Sequence, residues 1–398
     1  MLILATCTLI LSSETARNML QDVFSTASMF VADHYVVCFA VLVAVAAVSM
    51  VSRRKHSMTD APSLLAVNNR ISDTGTKAQI YTKLHATGGG TETDRTEHCQ
   101  EMVNQYYDMA TDFYEFGWGE SFHFAPRNPN ESFRESLTRH EHFLALQMGI
   151  RAGDRVLDMG CGVGGPMREI SGFTGASVIG INNNAYQVAR GNAKNRRLGL
   201  DKQCNLVKGD FMNLPFEAES FDHAYGIEAT CHAPDRTKCF AQVFKALKPG
   251  GHFCVYEWVS TDKYDASNPR HVELMHGIEV GNGLPTITGA AGVTDALRNA
   301  GFVVEEVNDL AVGPERPHIE WYAPLEAKWS LSNFKATKLG IWLTSKMVTV
   351  METLRLAPKG TAKMHEHLCT GAETLVGAAQ LGIFTPMLFV KATKPARS

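Results

Sequence analysis

The stretch "VLDMGCGVGGPMREI", residues 156–170, decides the fold. A short apolar run breaks at Gly160, and apolar positions resume at helical spacing after Gly165. Pro166 falls in the first helical turn, where its missing N–H donor costs nothing. The segment therefore reads as strand, tight glycine turn and helix. Downstream the same alternation repeats. "RVLDMG" is a strand and 165–174 a helix; "ASVIGI" is a strand and 184–199 a helix; "CNLVKG" and "FDHAYGIE" are strands. A helix over 236–247 and the strand "HFCVYEW", after the turn Pro249-Gly250-Gly251, complete the series. Strands alternating with crossover helices predict parallel pairing in an open, doubly wound α/β sheet of the Rossmann-like kind. Ligands in such sheets lie beyond the carboxyl ends of the strands.

Upstream, Val103, Tyr107, Ala110 and Tyr114 recur at helical spacing, as do Phe133, Leu137, Leu144 and Met148, so two amphipathic helices precede the glycine turn. Beyond about Trp329 the pattern becomes mostly helical and closes on "IFTPMLFV", a candidate last edge strand. The expected organisation is an apolar amino-terminal segment (1–52), a flexible linker (53–96), the α/β domain (97–328) and a smaller, mostly helical carboxy-terminal lobe (329–398). Within the first segment, "YVVCFAVLVAVAAVSMV" (35–51) is uncharged and followed at once by Arg53, Arg54 and Lys55. That pattern predicts a transmembrane helix with the downstream chain in the cytosol. A buried core helix or a signal-peptide core are the rival readings, the latter disfavoured by the lack of a basic n-region and of a clear cleavage site. The linker "TGGGTETD" and its surroundings are polar and aperiodic.

With 398 residues, 45% hydrophobic and 20% charged, the chain has material for a large globular core and more than one unit. Its 38 basic and 41 acidic residues give a net charge of -3, which offers no electrostatic footprint for nucleic acid. Nine cysteines without a CxxC pair fit neither a disulfide framework nor a zinc knuckle and suit a reducing compartment. The pairs His140/His142 and His365/His367 lack further ligands nearby and read as solvated helix histidines.

Gly160, Gly162 and Gly165 match GxGxxG, a weak signal for a dinucleotide. Asp158 argues against one, because its charge at the strand end opposes a pyrophosphate seated on the following helix. No carboxylate stands about twenty residues on, where the sequence is "GINNN". An acid at the strand end suits a ligand carrying an ammonium and a sulfonium, and S-adenosylmethionine meets that description. Glycines allow it to lie against bare backbone. Asn182 or Asn183 would serve its ribose hydroxyls. Asp210, otherwise a plain turn aspartate, would accept from the adenine amino group while Phe211 packs on the ring. These residues favour methyl transfer over hydride transfer.

"DFYEFGWGESFHF" (112–124) gathers Phe113, Tyr114, Phe116, Trp118, Phe122 and Phe124. Gly117 and Gly119 interrupt it, so a loop is expected, a lid whose ring faces would stabilise a positive reacting centre. The bland alternative is a hydrophobic seam. Glu115 among these rings is a base or a hydrogen-bonded anchor.

With "YEFGWGESFHFAPR", "LDMGCGVGGPMREI", "GIEATCHAPD", "YEWVSTDKYD", "IEVGNGLP" and "LGIFTPMLFV" in order over residues 100–392, the sequence resembles the sterol 24-C-methyltransferases. The resemblance implies a class I methyltransferase fold, S-adenosylmethionine as donor and a membrane-embedded sterol as acceptor. It places the cofactor on residues 158–164, including Gly164, and the sterol against Tyr114, Glu115, Phe116, Trp118, Phe122 and His123. Glu228 and His232 face the same crevice. Phe116 stands where the family more often has tyrosine, and Asn282 where many members have aspartate, which weakens any claim for a carboxylate base there. The implied chemistry is attack of the carbon 24 alkene on the sulfonium methyl, a cation at carbon 25, a hydride shift and loss of a proton. Tyr114, Glu115, Glu228 and His232 are all candidate bases. The family also implies an endomembrane setting, the endoplasmic reticulum, with the bilayer as a partner; a homo-oligomer stays open. Competing readings are a methyltransferase for another isoprenoid or lipid, a non-catalytic membrane-anchored lipid-binding protein and, more distantly, an NAD-dependent oxidoreductase.

Overall fold

The computed structural model describes residues 99–312, 319–326, 337–354, 357 and 360–397. The chain divides into two units, Met1–Ala61 and Pro62–Ser398, and every described residue belongs to the second. The expected transmembrane helix at 35–51 and the linker at 53–96 lie outside the described residues. Among the described residues, no helix is long and apolar enough to cross a membrane.

Helices α1 (Cys99–Gly117) and α2 (Phe133–Met148) lead into β1 (Arg155–Met159), α3 (Gly165–Thr174), β2 (Ser177–Asn182), α4 (Ala185–Leu198), β3 (Cys204–Lys208) and β4 (Phe221–Ile227). A 3₁₀ turn (Thr230–His232), α5 (Arg236–Ala246), β5 (Leu247–Ser260), α6 (Pro269–Asn282), α7 (Ala290–Asn299) and β6 (Val303–Asp309) follow. The chain closes with α8 (Lys338–Thr353), α9 (Thr361–Leu381) and β7 (Phe384–Thr393). The helices begin and end where local chemistry dictates. Ser132 and Glu135 form a reciprocal capping box on α2, Asn184 caps α4, and Gly149, Gly175 and Gly199 terminate α2, α3 and α4 in the left-handed conformation.

The seven strands are ordered β3-β2-β1-β4-β5-β7-β6. The first five pair in parallel, as expected from the sequence, whereas β7 runs antiparallel to both β5 and β6, so the sheet is mixed. One expectation is corrected. The closing apolar run is an interior strand, and the edge belongs to β6, whose alternating exposure and acidic Glu305 and Glu306 hid it from an apolar-run reading. Within residues 329–398, α8 and α9 precede β7, which pairs with β5 and β6 in the main sheet.

Alternate residues of each strand feed opposite faces. In β1, Leu157 and Met159 join Phe240, Val243 and Leu297 under α5 and α7, while Val156 joins Met148, Ile170 and Val188 under α2, α3 and α4. Each such buried apolar side chain contributes roughly 1.5–3 kcal/mol. A third cluster, with Phe124, Trp258, Leu274, Ile278, Leu375 and Phe384, lies where α6 and α9 pack. Those two helices cross at Gly281 and Gly371. A Cβ on Gly281 would come within 2.4 Å of the Gly371 Cα, so only glycine permits that approach. His140 and His365 are buried, not solvated: the His140 ring stacks on Tyr256 at 3.8 Å, and burial holds its pKa well below the usual histidine value.

Candidate active site

The carboxyl ends of β1, β2 and β4 open onto a cavity. Its floor is the glycine turn. Gly160 and Gly162 have φ of 74° and 54°, and a Cβ on Gly160 would stand 2.5 Å from the Ala229 side chain. Asp158, Gly160, Gly162, Asn182, Asn183, Asp210 and Phe211 all line this cavity. Asn182 donates from Nδ2 to Gln187 Oε1 at 2.7 Å, and Asp210 Oδ1 accepts from the Met212 N–H at 2.8 Å. The turn role weighed for Asp210 is thus present together with a place in the wall. Gly164 does not line the cavity; at φ 80° it starts α3 and packs beside Met167 and Leu206.

Asp158 is 3% exposed and accepts from the Tyr225 hydroxyl at 2.9 Å. Burial raises its pKa to about 7, because one hydrogen bond does not replace the lost hydration of the carboxylate. Four carboxylates, those of Glu120, Asp158, Asp210 and Glu228, face this cavity, and no lysine or arginine does among the described lining residues. With His123 as the one cationic group among those residues, that set suits a cation better than a pyrophosphate.

A second cavity adjoins the first and is bounded by Tyr107, Phe113, Tyr114, Trp118, Phe122, His123, Phe124 and Trp258, with Leu284, Leu325, Leu368 and Leu375 of the surrounding elements. Tyr107, Phe122, His123, Glu228 and His232 belong to both walls. The aromatic stretch is not wholly a loop, because α1 continues to Gly117; the chain leaves the helix there and turns at Gly119, φ 96°. Trp118 is fixed by donation from Nε1 to the His123 carbonyl at 2.9 Å and by edge contacts with Phe124 and Phe133. The Tyr114 ring lies 5.2 Å from that of Phe122. The side chain of Phe116 lies outside the described residues.

Three polar groups on the shared wall have distinct settings. His123, 2% exposed, directs Nδ1 to the Phe124 carbonyl at 2.8 Å and Nε2 to Glu141 at 3.0 Å. Both partners only accept, so both ring nitrogens donate and the ring is an imidazolium. Burial opposes that charge, but the hydrogen bond and charge of Glu141 prevail and raise its pKa. Glu228 sits at φ 50°, a left-handed conformation that costs a non-glycine residue about 1–3 kcal/mol. Its Oε1 accepts from the Phe124 N–H at 2.7 Å and its Oε2 from Trp258 Nε1 at 2.8 Å, while burial raises its pKa to about 8. His232 donates from Nδ1 to the Gly283 carbonyl at 3.1 Å, which leaves the Nε2 lone pair to accept from the Tyr107 hydroxyl at 3.2 Å. Burial lowers its pKa to about 4, so it is neutral.

Two of the sequence-based site residues, Gly164 and Glu115, line neither cavity. Of the two roles weighed for Glu115, base and hydrogen-bonded anchor, the structure shows the anchor: it pairs with Arg190 on α4 and braces α1 against that helix. Residues missed from the sequence are those of α1 and α4 that roof the cofactor side: Val103, Asn104, Tyr107, Asn184 and Gln187. Asn184 donates from Nδ2 to Asp108 at 2.7 Å and Gln187 donates to Thr111 at 2.9 Å, so α4 clasps α1 over the cavity. Glu120 adds ion pairs to Arg168 at 2.8 Å and Lys194 at 2.5 Å. Asn282 is buried in the second wall and donates from Nδ2 to the Ile278 carbonyl at 2.9 Å.

Strand order, glycine floor and a carboxylate-lined cavity together define a class I S-adenosylmethionine-dependent methyltransferase. The methyltransferase domain family matches residues 157–255, and the family described as sterol methyltransferase C-terminal matches residues 331–396. The cycloartenol-C-24-methyltransferase of Arabidopsis thaliana is 49% identical over 325 residues, 81% of this chain and 96% of the relative. The sterol 24-C-methyltransferase of Saccharomyces cerevisiae is 44% identical over 349 residues, 85% and 90% of the two chains. The chain belongs to the sterol 24-C-methyltransferase family. Among solved structures, the cyclopropane synthase MmaA2 of Mycobacterium tuberculosis has a TM-score of 0.56 at 15% identity, covering 74% of this chain and 96% of that one. The geranyl diphosphate C-methyltransferase of Streptomyces coelicolor has 0.51 at 17%, covering 74% and 98%. At these identities the likeness is one of fold.

Proposed function

We propose that this enzyme transfers a methyl group from S-adenosylmethionine to carbon 24 of a sterol side-chain double bond, the cofactor occupying the carboxylate-lined cavity and the sterol side chain the aromatic one. The observation that carries this reading is the shared wall. A cation-selective cavity and an apolar, ring-lined cavity meet at Tyr107, Phe122, His123, Glu228 and His232. Asp158 would hold the cofactor's ammonium, Asn182 and Asn183 its ribose and Asp210 with Phe211 its adenine. When bound, the cofactor supplies an electrophilic methyl group, and its transfer to the alkene leaves a positive charge on the sterol side chain.

The chain's own residues then have three tasks. The rings of Tyr114, Phe122 and Tyr107 present electron-rich faces to that charge and exclude water. Glu228, held by the Phe124 N–H and Trp258 Nε1, locks the aromatic stretch to the end of β4. His232 accepts the final proton. A weak base suffices, since loss of a proton from a carbon cation is strongly downhill, and His232 is neutral, with its Nε2 on the shared wall in contact with the Tyr107 hydroxyl. Glu115 is out of reach, and both oxygens of Glu228 are already engaged.

An insoluble acceptor also gives the amino terminus a purpose. Residues 35–51 would anchor the enzyme as a single-pass protein of an endomembrane, the endoplasmic reticulum by family resemblance, with Arg53, Arg54 and Lys55 keeping the catalytic unit in the cytosol. Protease protection of microsomes would check this, and a protected catalytic unit would refute it.

The decisive experiment is mass spectrometry of lipids after incubating the full chain with methyl-labelled S-adenosylmethionine and a panel of acceptors. Label is expected in sterols with a side-chain double bond at carbon 24. Label confined to a non-sterol isoprenoid or acyl lipid would overturn the proposal.

A further inference from the structure

The base assigned above is not alone on the shared wall. His232 Nε2 already accepts a hydrogen bond from the Tyr107 hydroxyl at 3.2 Å, and the two rings meet edge to face at 5.7 Å between centroids. Tyr107 borders both cavities. A proton leaving the sterol side chain toward His232 therefore finds the histidine lone pair engaged by the Tyr107 hydroxyl, whose oxygen stands in front of it.

We propose that Tyr107 is the immediate proton acceptor of the reaction, and that it passes its own phenolic proton to His232 in the same step. The balance is simple. The breaking C–H bond leaves its electron pair as the new carbon–carbon double bond, and its proton goes to the Tyr107 oxygen. The phenolic proton moves to His232 Nε2, so Tyr107 ends as it began and His232 becomes an imidazolium with Nδ1–H still on the Gly283 carbonyl. No ionised phenol forms at any point. The Gly283 carbonyl fixes the tautomer that leaves Nε2 receptive. Burial that keeps the His232 pKa near 4 also makes the imidazolium a ready donor once the site opens, which resets the pair.

Position in the chain favours this role over a merely structural one. Tyr107 lies on α1, one helical turn before Thr111 and two before Tyr114, whose ring is 6.4 Å from its own. The phenol thus reaches the junction from the roof while His232 reaches it from the carboxyl end of β4. The histidine's Nδ1 contact belongs to the α6 C-cap, so two distant elements hold the pair.

This inference rests on the proposed methyl transfer to a sterol, and the test separates the two. The full-length wild type and Tyr107→Phe are compared by turnover, KM for sterol, S-adenosylmethionine affinity and product spectrum. Tyr107→Phe keeps the ring and loses only the oxygen. Its kcat should fall on the order of 100-fold, within the range for lost acid–base catalysis. KM and cofactor affinity should stay within about threefold. Hydroxylated, water-trapped sterol should rise as a share of product, a readout that a packing role would not move. His232→Gln should fall comparably, and the double variant should be no worse than the poorer single one, as expected of groups acting as a unit. A Tyr107→Phe enzyme with kcat within threefold of wild type and an unchanged product spectrum overturns the relay. So do losses that multiply in the double variant. If the wild type methylates no sterol, the functional reading itself fails, whatever the variants do.

Discussion

Asp158→Asn, read against pH, tests the electrostatic core of the cofactor site. The buried carboxyl titrates at about 7 in the empty protein, whereas a ligand ammonium needs it ionised. Below pH 7 each unit of acidification should therefore weaken binding about tenfold. Relative to the plateau above the pKa, the dissociation constant of S-adenosylmethionine should rise on the order of 30-fold at pH 5.5. On the alkaline side affinity should decline again as the ligand's own α-amino group, with a reference pKa of about 7.7–8.0, loses its proton. Folding carries the opposite sign. Because the folded pKa lies above the ordinary aspartate value, ionisation of Asp158 costs stability progressively as pH rises through that window. Cofactor-induced rise in Tm should therefore be larger at pH 8 than at pH 6. In Asp158→Asn the charged hydrogen bond is gone, which should cost about 1.5–3 kcal/mol of affinity near neutrality. The acid limb of the profile should vanish with it. Isothermal titration calorimetry between pH 5.5 and 8.5 on both proteins provides the measurement. A flat wild-type profile, or an acid limb that persists in Asp158→Asn, would refute the reasoning.

Three further outcomes follow from particular contacts. Gly160→Ala places a methyl 2.5 Å from the Ala229 side chain on a backbone with φ 74°, so it should abolish cofactor binding measured by calorimetry and lower Tm; near-wild-type binding would contradict the geometry. Glu141→Ala leaves the His123 imidazolium buried without its counter-ion and should cost about 3–5 kcal/mol by urea unfolding at pH 6. The pH sign also follows: with its pKa raised, His123 stabilises the fold below its ordinary value, and that contribution is lost as pH rises through the folded value. Asn184→Ala removes both the cap of α4 and the bond to Asp108, a loss of about 1–2 kcal/mol. It should quicken S-adenosylmethionine release in stopped-flow measurements, and an unchanged off-rate would mean the clasp does not gate the cavity.

The parallel half of the sheet was legible because each strand is a short apolar run bounded by turn residues. Helix α3 was read with its boundaries at 165 and 174. β6 escaped because an edge strand with an exposed face carries charge where an interior strand carries valine. β7 was seen but placed at the edge; its near-continuous burial is the mark of an interior strand. At the site, residues at strand ends were readable because the topology dictates that ligands lie there, and Asp158, Asn182, Asn183 and Asp210 came from that rule. The α1 contribution was hidden for a different reason. Val103 and Tyr107 fall on an ordinary apolar helical stripe, and nothing in a periodicity separates a tyrosine that packs from one whose hydroxyl faces a histidine over a hundred positions away. For Glu115 the sequence left base and hydrogen-bonded anchor undecided by the same limit, since its partner Arg190 lies on a helix that sequence cannot bring alongside.

The interior position of β7 bears on how the protein is made. A ribosome delivers β5 long before residues 384–393, so the nascent chain must hold β5 and β6 with their facing edges unsatisfied until the last strand emerges and is threaded between them. A frameshift or premature stop between Asp309 and Phe384 would leave that gap open, turning even a late truncation into a substrate for chaperones and proteases.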